Sequence, residues 1–263
     1  MLYFDYDKCI NCHQCVKICP FNALTYDEKG RPARDENKGC MRCMHCATIC
    51  PKGAINYDGK KATLDTPFVP FDDVTREKVT QAVLQRRSYR NFLDKPVPNE
   101  LLEEVLGYAM WAPSAKNQHP VKWMVIRNEE RKMRIFEKIL EFVHETGRSP
   151  EIASEWEEHR NNVVMGKNST LLMGYCKKTA INPPHDTAIA LTTVELLLQT
   201  RGVGSCWAGY LTRLTNTIEG LPEIVGIPED HILSGTLMIG WPDGEKYKKI
   251  PQRFNPTEIN WVD

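Results

Sequence analysis

The stretch "CINCHQCVKICP", residues 9–20, recurs with the same cysteine spacing as "CMRCMHCATICP", residues 40–51. Eight of the ten cysteines lie in these two stretches, and each cysteine of the first has a counterpart 31 positions later. The correspondence continues beyond the cysteines, since Ala23 and Tyr26 map onto Ala54 and Tyr57. A fixed offset of this kind indicates a duplicated supersecondary element and excludes a chance clustering of cysteines.

The spacing inside each stretch is that of an iron–sulfur ligand loop. Three cysteines separated by two residues can wrap three corners of a 4Fe–4S cube, while the fourth, followed by proline, turns away toward a second cube. The pattern predicts two 4Fe-4S clusters with crossed ligands, one bound by Cys9, Cys12, Cys15 and Cys50 and the other by Cys19, Cys40, Cys43 and Cys46. Over residues 1–58 the chain resembles a bacterial two-cluster ferredoxin.

Other kinds of site also use cysteines. Zinc sites commonly pair two close cysteines with a distant pair and need neither a triple nor a Cys-Pro step. Disulfides need an oxidising compartment, whereas the start of the chain, with Asp5 and Asp7, lacks the basic region of a signal peptide. A Rieske centre replaces two cysteines with histidines, but His13 and His45 stand beside a full set of cysteines. The clusters are the favoured interpretation.

Composition indicates a folded chain with no dominant charge. Of 263 residues, 41% are hydrophobic and 26% charged, and 34 Lys+Arg balance 34 Asp+Glu. A balanced chain has no overall field that attracts nucleic acid or an anionic membrane, and no apolar run reaches the roughly 18 residues of a spanning helix. We therefore expect neither nucleic acid nor membrane as a partner, and a cytoplasmic location in which thiols stay reduced.

Beyond the cysteine repeat, we expect a linker and a second domain. The ferredoxin-like domain is predicted over residues 1–58; residues 59–73 carry two prolines and no periodicity, which predicts a linker before a domain at 74–263. Apolar spacing predicts helices over 75–87, 99–110, 129–145, about 150–162 and 185–201, and strands over 121–127, 170–176 and 231–241. Their irregular order predicts an α+β fold. The 185–201 helix is apolar almost all round, so we expect it to be buried or in a subunit interface.

Two glycine-containing stretches match nucleotide-binding motifs only in part. "GVGSCWAG" (202–209) has Trp207 where a dinucleotide fingerprint needs its third glycine. "GTLMIGWP" (235–242) has Trp241 and Pro242 where a P-loop needs Lys and Ser or Thr. We therefore expect no dedicated NAD(P)H or ATP site.

Three polar stretches of the second domain could bind an anion. In "RRSYRNF" (86–92), Arg86, Ser88 and Arg90 alternate, so in an extended segment they point the same way. "APSAKNQHP" (112–120) is a turn-prone loop with hydroxyl and amide groups, and "KKIPQR" (248–253) adds Lys249 and Arg253. Each stretch alone is typical of a solvated surface.

Together, these three stretches resemble the FMN-dependent nitroreductase family over residues 74–263. Two further features contribute to the resemblance: "GVGSCWAGY" follows a long helix, and "IGWP" precedes a late arginine. The chain departs from the common pattern of that family at His119 and Val121, beside the flavin loop. The resemblance implies an FMN site built by Arg86, Ser88 and Arg90, by Pro113, Ser114 and Asn117, by Cys206, Trp207, Ala208 and Gly209, and by Lys249 and Arg253.

The two resemblances together imply an oxidoreductase. Electrons from a low-potential donor, with ferredoxin favoured, would pass through the clusters to FMN and on to a nitroaromatic, quinone or activated alkene. The resemblance also implies a homodimer with FMN at its interface. An electron-transfer adaptor or redox sensor, a specialised reaction such as reductive dehalogenation or flavin processing, and the reverse electron direction remain alternatives.

No catalytic residue stands out in the sequence. Neither a carboxylate nor a histidine is marked as a general acid, so we expect solvent to supply the proton. A nucleophilic pair of His185 with Cys176 or Cys206 is conceivable, but single buried cysteines usually act as small apolar residues.

Overall fold

A computed structural model of the chain describes residues 1–244 and 247–262. The chain forms two compact units, one comprising Met1–Phe71 with Lys116–Gln118 and the other comprising Asp72–Ala115 with the residues from His119 onward. Helices and strands are mixed without regular alternation, which confirms the predicted α+β class. Among the described residues, no helix has both the length and the apolar character to cross a membrane.

The first unit contains short elements, because its chain turns back at each cysteine loop. They are β1 (Leu2–Phe4), α1 (Gln14–Ile18), β2 (Leu24–Tyr26), β3 (Pro32–Arg34), α2 (His45–Thr48), β4 (Ile55–Tyr57) and β5 (Lys60–Lys61). The duplicated sequence appears as a duplicated structure, since α2 and β4 begin 31 positions after α1 and β2. The two halves exchange strands: β1 pairs antiparallel with β4, and β2 pairs antiparallel with β3.

The second unit is built on one antiparallel sheet covered by helices. Its strands are β6 (Lys122–Ile126), β7 (Thr170–Lys177), β8 (Gly204–Trp207) and β9 (His231–Gly240), in the order β6-β7-β9-β8. Its helices are α3 (Asp73–Gln85), α4 (Asn99–Tyr108), α5 (Glu129–Thr146), α6 (Glu151–His159), α7 (Pro183–Thr200), α8 (Gly209–Thr217) and α9 (Leu221–Val225).

Both faces of this sheet are buried, which explains why its central strands are apolar without a break. Leu171 and Met238 pack with α5, α8 and α9 on one face, whereas Leu172 and Leu237 pack with α4 and α7 on the other. Strand side chains alternate between faces, so a strand covered on both sides has apolar residues at successive positions. The long helix α7 lies against this second face, as its apolar composition predicts.

The predicted elements of the second domain form with small shifts at their ends. Asp72 caps α3, its side chain accepting a hydrogen bond from the Thr75 amide, but Val79 and Val83 on that helix are exposed. Asn99 is the first residue of α4, and Pro98 precedes it at the cap position without a side-chain hydrogen bond. Strand β8 and helices α8 and α9 were not predicted from the sequence.

Candidate functional site

The two predicted sets of cysteines each line one small cavity in the first unit. Cys9, Cys12, Cys15 and Cys50 lie around one cavity, and Cys19, Cys40, Cys43 and Cys46 lie around the other. None of the ten cysteines, all of which lie in the described part of the chain, forms a disulfide. The four thiols of each set surround a space and do not converge on one point. No three His, Cys, Asp or Glu side chains of the described residues are arranged to hold a single metal ion.

The backbone of the two cysteine loops repeats the same unusual conformation. His13 and Met44, which correspond at the 31-residue offset, both have φ of 59° and precede α1 and α2. Left-handed backbone is rare outside glycine and turns each loop tightly around its cavity. The Ala23 amide donates to Cys19 Sγ at 3.2 Å, and the Ala54 amide donates to Cys50 Sγ at 3.3 Å. Amide donors of this kind stabilise sulfur that carries negative charge.

Burial changes the acid–base behaviour of two thiols in these loops. Desolvation raises the pKa of Cys15 and raises the pKa of Cys46 to about 11. A metal ligand must be the thiolate, so binding at these positions releases protons and stabilises the fold through the same contacts.

In the second unit, the segment of residues 86–92 lies along the edge of the sheet. Ser88 forms an isolated parallel bridge with Ser205 of β8, and the Tyr89 amide donates to the Ser205 carbonyl oxygen at 2.9 Å. This close approach requires glycine on the strands beneath. A Cβ at Gly204 would lie 2.8 Å from the Tyr89 ring, and a Cβ at Gly240 would lie 2.7 Å from the Phe92 ring. Gly204 and Gly240 are register partners across β8 and β9, so together they form one flat patch.

The predicted anion-binding residues of this segment have different surroundings. Arg86 ends α3 and its Nη1 lies 3.4 Å from Oε1 of Glu195, a buried carboxylate on α7. Ser88 is half-buried and Arg90 is exposed, with the Arg90 carbonyl oxygen accepting a hydrogen bond from the Lys167 amide. The segment is extended, so Arg86, Ser88 and Arg90 alternate with Arg87 and Tyr89 on the opposite side.

The loop of residues 113–119 carries three further predicted residues. Pro113 is exposed, and Ser114 Oγ accepts a hydrogen bond from the His119 amide at 2.9 Å. Asn117 belongs to the first compact unit, where its Nδ2 donates to the carbonyl oxygens of Met41 and Arg42 at 3.2 and 3.3 Å.

The backbone of this loop is strained. Lys116, Asn117 and His119 have φ of 49°, 55° and 45°, in the left-handed region that non-glycine residues avoid. Such strain persists only where the surrounding contacts hold it, and it is concentrated at functional sites.

The four residues that end β8 and begin α8 divide between core and surface. The Cys206 side chain packs into the core, so its sulfur faces away from any ligand at the sheet edge. Trp207 is exposed in part and its Nε1 donates to Glu195 Oε2 at 3.3 Å. The Ala208 amide donates to the Thr236 carbonyl oxygen, and Gly209 is the exposed first residue of α8. A ligand at the sheet edge can therefore contact Cys206 only through its backbone atoms.

In the described part of the chain, the late basic residues Lys249 and Arg253 make no hydrogen bond with Arg86. Lys249 lines an open pocket with Arg87, Tyr89 and Tyr247, and Arg86 is not among the residues of that pocket. Arg253 is exposed.

Two buried carboxylates of α7 are functional candidates that the sequence analysis missed. Glu195 contacts residues of two predicted flavin motifs, Arg86 and Trp207. Asp186 accepts a hydrogen bond from the Ala115 amide at 2.8 Å, while its buried Oδ2 has no hydrogen-bond partner among the described residues. A carboxylate inside an otherwise apolar helix was the available sequence signal, because buried carboxylates are retained only where they are paired.

The residues present fit both kinds of predicted cofactor. Each cavity of the first unit offers four thiols and an amide donor to sulfur, the donor set of a 4Fe–4S cluster. In the second unit, guanidinium and hydroxyl groups occur along one segment, and the orphaned Asp186 Oδ2 is a buried acceptor beside the polar loop.

Comparison with known proteins identifies both units. The model of the Nitroreductase family matches residues 83–241, which is more than half of the chain, and that of the 4Fe-4S dicluster domain matches residues 8–55. These matches confirm the predicted resemblances, and the dicluster match confirms the two predicted 4Fe–4S clusters.

Named relatives agree with the family match. A putative NADH dehydrogenase/NAD(P)H nitroreductase of Archaeoglobus fulgidus is 27% identical over 191 residues, covering 70% of this chain and 97% of the relative. A protein with the same description from Methanothermobacter thermautotrophicus is 29% identical over 174 residues, covering 64% of this chain and 80% of the relative.

Solved structures share the fold. A nitroreductase with bound FMN from Desulfitobacterium hafniense covers 69% of this chain and 98% of its own, with a TM-score of 0.56 and 19% identity. An iodotyrosine deiodinase bound to FMN and 3-iodo-L-tyrosine covers 70% of this chain and 100% of its own, with a TM-score of 0.52 and 23% identity.

Proposed function

The chain belongs to the nitroreductase family, and we propose that within this family it is an FMN oxidoreductase supplied with electrons by its own ferredoxin-like domain. The observation that carries the proposal is the presence, in one chain, of two four-cysteine cavities and a nitroreductase-family domain. Clusters transfer one electron at a time and flavin stores two, so the combination suits a reaction that needs two electrons from a one-electron donor.

The cysteines hold the two clusters in the crossed arrangement. Cys9, Cys12, Cys15 and Cys50 bind one cluster, and Cys19, Cys40, Cys43 and Cys46 bind the other. The support is that each of these sets lines a single cavity. Cys19 and Cys50 each accept an amide hydrogen bond and precede a proline, so the chain turns away after both.

FMN is held along the 86–92 segment and the start of α8. Arg86 and Arg90 supply positive charge and Ser88 a hydroxyl for the phosphate, because guanidinium groups match phosphate oxygens. The backbone at Ala208 and Gly209 lies against the ring, and the exposed Arg253 closes on the phosphate. Lys249 is the least supported member of the set, since it lies with Arg87.

The residues of the 113–119 loop complete the flavin site. Pro113, Ser114 and Asn117 were assigned by family position. The Ser114–His119 hydrogen bond and the buried Asp186 contact to the Ala115 amide hold the start of this loop in one conformation. A preformed loop reduces the ordering cost of binding.

A small organic acceptor receives the electrons, and nitroaromatics come first because both archaeal relatives are described as putative nitroreductases. Quinones and activated alkenes are further acceptors. The donor is reduced ferredoxin or a similar carrier, since "GVGSCWAG" and "GTLMIGWP" lack the residues of nucleotide motifs. We place the protein in the cytoplasm, where its thiols remain reduced.

We further propose a homodimer. Val79 and Val83 form an apolar face on α3 and are 60% and 57% exposed, and the C-terminal Phe254 and Trp261 are 89% and 81% exposed. Large apolar side chains exposed together are typical of surfaces that a partner covers.

The test is anaerobic turnover of the protein loaded with iron, sulfide and FMN. Reduced ferredoxin or dithionite should sustain repeated reduction of a nitroaromatic. A flavin that is reduced but never reoxidised by any small acceptor would favour an adaptor or redox sensor instead. A halogenated phenol that is consumed in place of nitroaromatics would favour the dehalogenation alternative.

Substitution of adjacent arginines tests the flavin assignment in the same preparation. Arg86→Ala should lose FMN and keep its iron, whereas Arg87→Ala, a matched change on the opposite side of the segment, should keep both. If Arg87→Ala and Lys249→Ala lose FMN while Arg86→Ala retains it, the phosphate lies on the other side and the Arg86 assignment is wrong.

A further inference from the structure

A single buried carboxylate connects the two motifs of the proposed flavin site. Glu195 is 3% exposed and lies on the apolar helix α7. Its Oε1 accepts from Ser205 Oγ at 2.9 Å and faces Arg86 Nη1 at 3.4 Å, while its Oε2 accepts from Trp207 Nε1 at 3.3 Å. A carboxylate in a core is costly unless its oxygens are paired, and here both oxygens have donors.

Stability alone is a weak reason for this arrangement. Apolar residues of similar size often replace a buried ion pair without loss of stability. The donors to Glu195 also come from separate places: Arg86 ends α3, whereas Ser205 and Trp207 belong to β8. One carboxylate therefore fixes the start of the 86–92 segment relative to the strand that leads into Ala208 and Gly209.

The contact leaves Arg86 able to bind a second anion. A guanidinium group has five N–H donors in a fixed plane, and the contact to Glu195 is made by Nη1. The side chain of Arg86 is 32% exposed, compared with 4% for Glu195, so the guanidinium reaches from the buried carboxylate toward solvent.

We propose that Glu195 is a positioning residue of the flavin site, which orients the guanidinium of Arg86 toward the FMN phosphate and holds the indole of Trp207 beside the flavin-binding backbone. The inference rests on the proposed function, because it concerns the same site. Glu195 is thereby added to the proposed flavin site as a residue that contacts two of the flavin motifs without contacting the flavin itself.

The variant Glu195→Gln removes the negative charge, and its expected effect on FMN binding is opposite for two roles of Glu195. If Glu195 acted only through its negative charge, Glu195→Gln would strengthen phosphate binding, because a like charge near the phosphate is removed. If Glu195 positions Arg86, the same variant weakens binding, because the amide has one acceptor oxygen and places N–H groups where the carboxylate accepted. We expect FMN to dissociate about tenfold more readily from Glu195→Gln than from the wild type, as loss of one charged hydrogen bond implies.

The experiment measures FMN affinity and needs no turnover. Flavin-free protein that retains its clusters is titrated anaerobically with FMN, and the quenching of flavin fluorescence gives the dissociation constant. Glu195→Gln is compared with Arg86→Ala and with the double variant. We expect the loss in the double variant to be clearly smaller than the sum of the two single losses, because without Arg86 only the contact of Glu195 with Trp207 is left to affect FMN binding.

A second variant and a matched control separate positioning from folding. Glu195→Asp keeps the charge and shortens the side chain, so it should fold and still weaken FMN binding several-fold. Glu104→Gln removes the carboxylate of another helix–helix ion pair, with Arg201 at 2.5 Å, and should bind FMN within about twofold of the wild type.

Two results would overturn the inference. The first is unchanged or tighter FMN binding by Glu195→Gln and Glu195→Asp, with only a lower unfolding midpoint. The second is full additivity of Glu195→Gln and Arg86→Ala. A wild-type protein that binds no FMN at all would instead refute the proposed function, so the two failures are distinguishable.

Discussion

Replacement of Gly240 with alanine would test whether close packing holds the 86–92 segment against the sheet. A Cβ at this position would lie 2.7 Å from Phe92 Cγ and 2.8 Å from Phe92 Cβ and Cδ1. Ordinary contact begins near 3.4 Å, so the methyl group or the ring must move by about 0.7 Å. Phe92 is fully buried and cannot swing toward solvent. Overpacking costs about 1–3 kcal/mol, and for this enclosed ring we expect about 2–3 kcal/mol.

Tryptophan fluorescence during urea unfolding measures this cost in the second unit alone. All six tryptophans lie in that unit, at positions 111, 123, 156, 207, 241 and 261. Gly107→Ala is the control, because Gly107 is an exposed helical position with no atom within 4 Å of a new Cβ. Alanine there should raise the free energy of unfolding by about 0.5–1 kcal/mol.

The same change should reach the flavin site. Phe92 continues the segment that carries Arg86 and Ser88, so a displaced ring moves these residues and weakens FMN binding. If Gly240→Ala unfolds at the same urea concentration as the wild type, the packing argument is refuted, whatever its FMN content.

Three further changes test the proposals on the clusters, the phosphate and the dimer. The double variant Cys19→Ser/Cys43→Ser loses two ligands of the same crossed cluster, so about four irons per chain should remain. The double variant Cys12→Ser/Cys19→Ser loses one ligand of each cluster, so no iron should remain. If the ligands are not crossed, iron analysis will give the opposite result for the two variants. Arg253→Ala should lower FMN content while iron stays at about eight per chain, and full FMN occupancy would remove Arg253 from the site. Val79→Glu should convert dimers to monomers in sedimentation, and a persistent dimer would exclude that face of α3 from the interface.

The sequence predicted those elements whose own residues show the periodicity of a helix or strand, or the spacing of a ligand loop. The cysteine repeat, the amphipathic helix α5 and the apolar strands β7 and β9 all form as predicted. Strand β8 was missed because its four residues, "GSCW", show no alternation long enough to recognise. It forms because β9 supplies its hydrogen bonds and because Gly204 admits Tyr89.

The two candidate sites differ in how far apart their partners lie along the chain. In each cysteine loop, three ligands occur within seven residues, so the spacing alone indicates the chemistry. Arg86 and Glu195 are 109 positions apart, and no local pattern relates them. The sequence does contain an exception to the apolar pattern of α7, because Glu195 lies within that apolar run. Since burial of an unpaired carboxylate is strongly unfavourable, such an exception predicts that a cation or several donors lie opposite. In this chain two of the three partners, Arg86 and Trp207, are residues assigned to the flavin by family position, and this overlap is the reason to connect Glu195 with the proposed site.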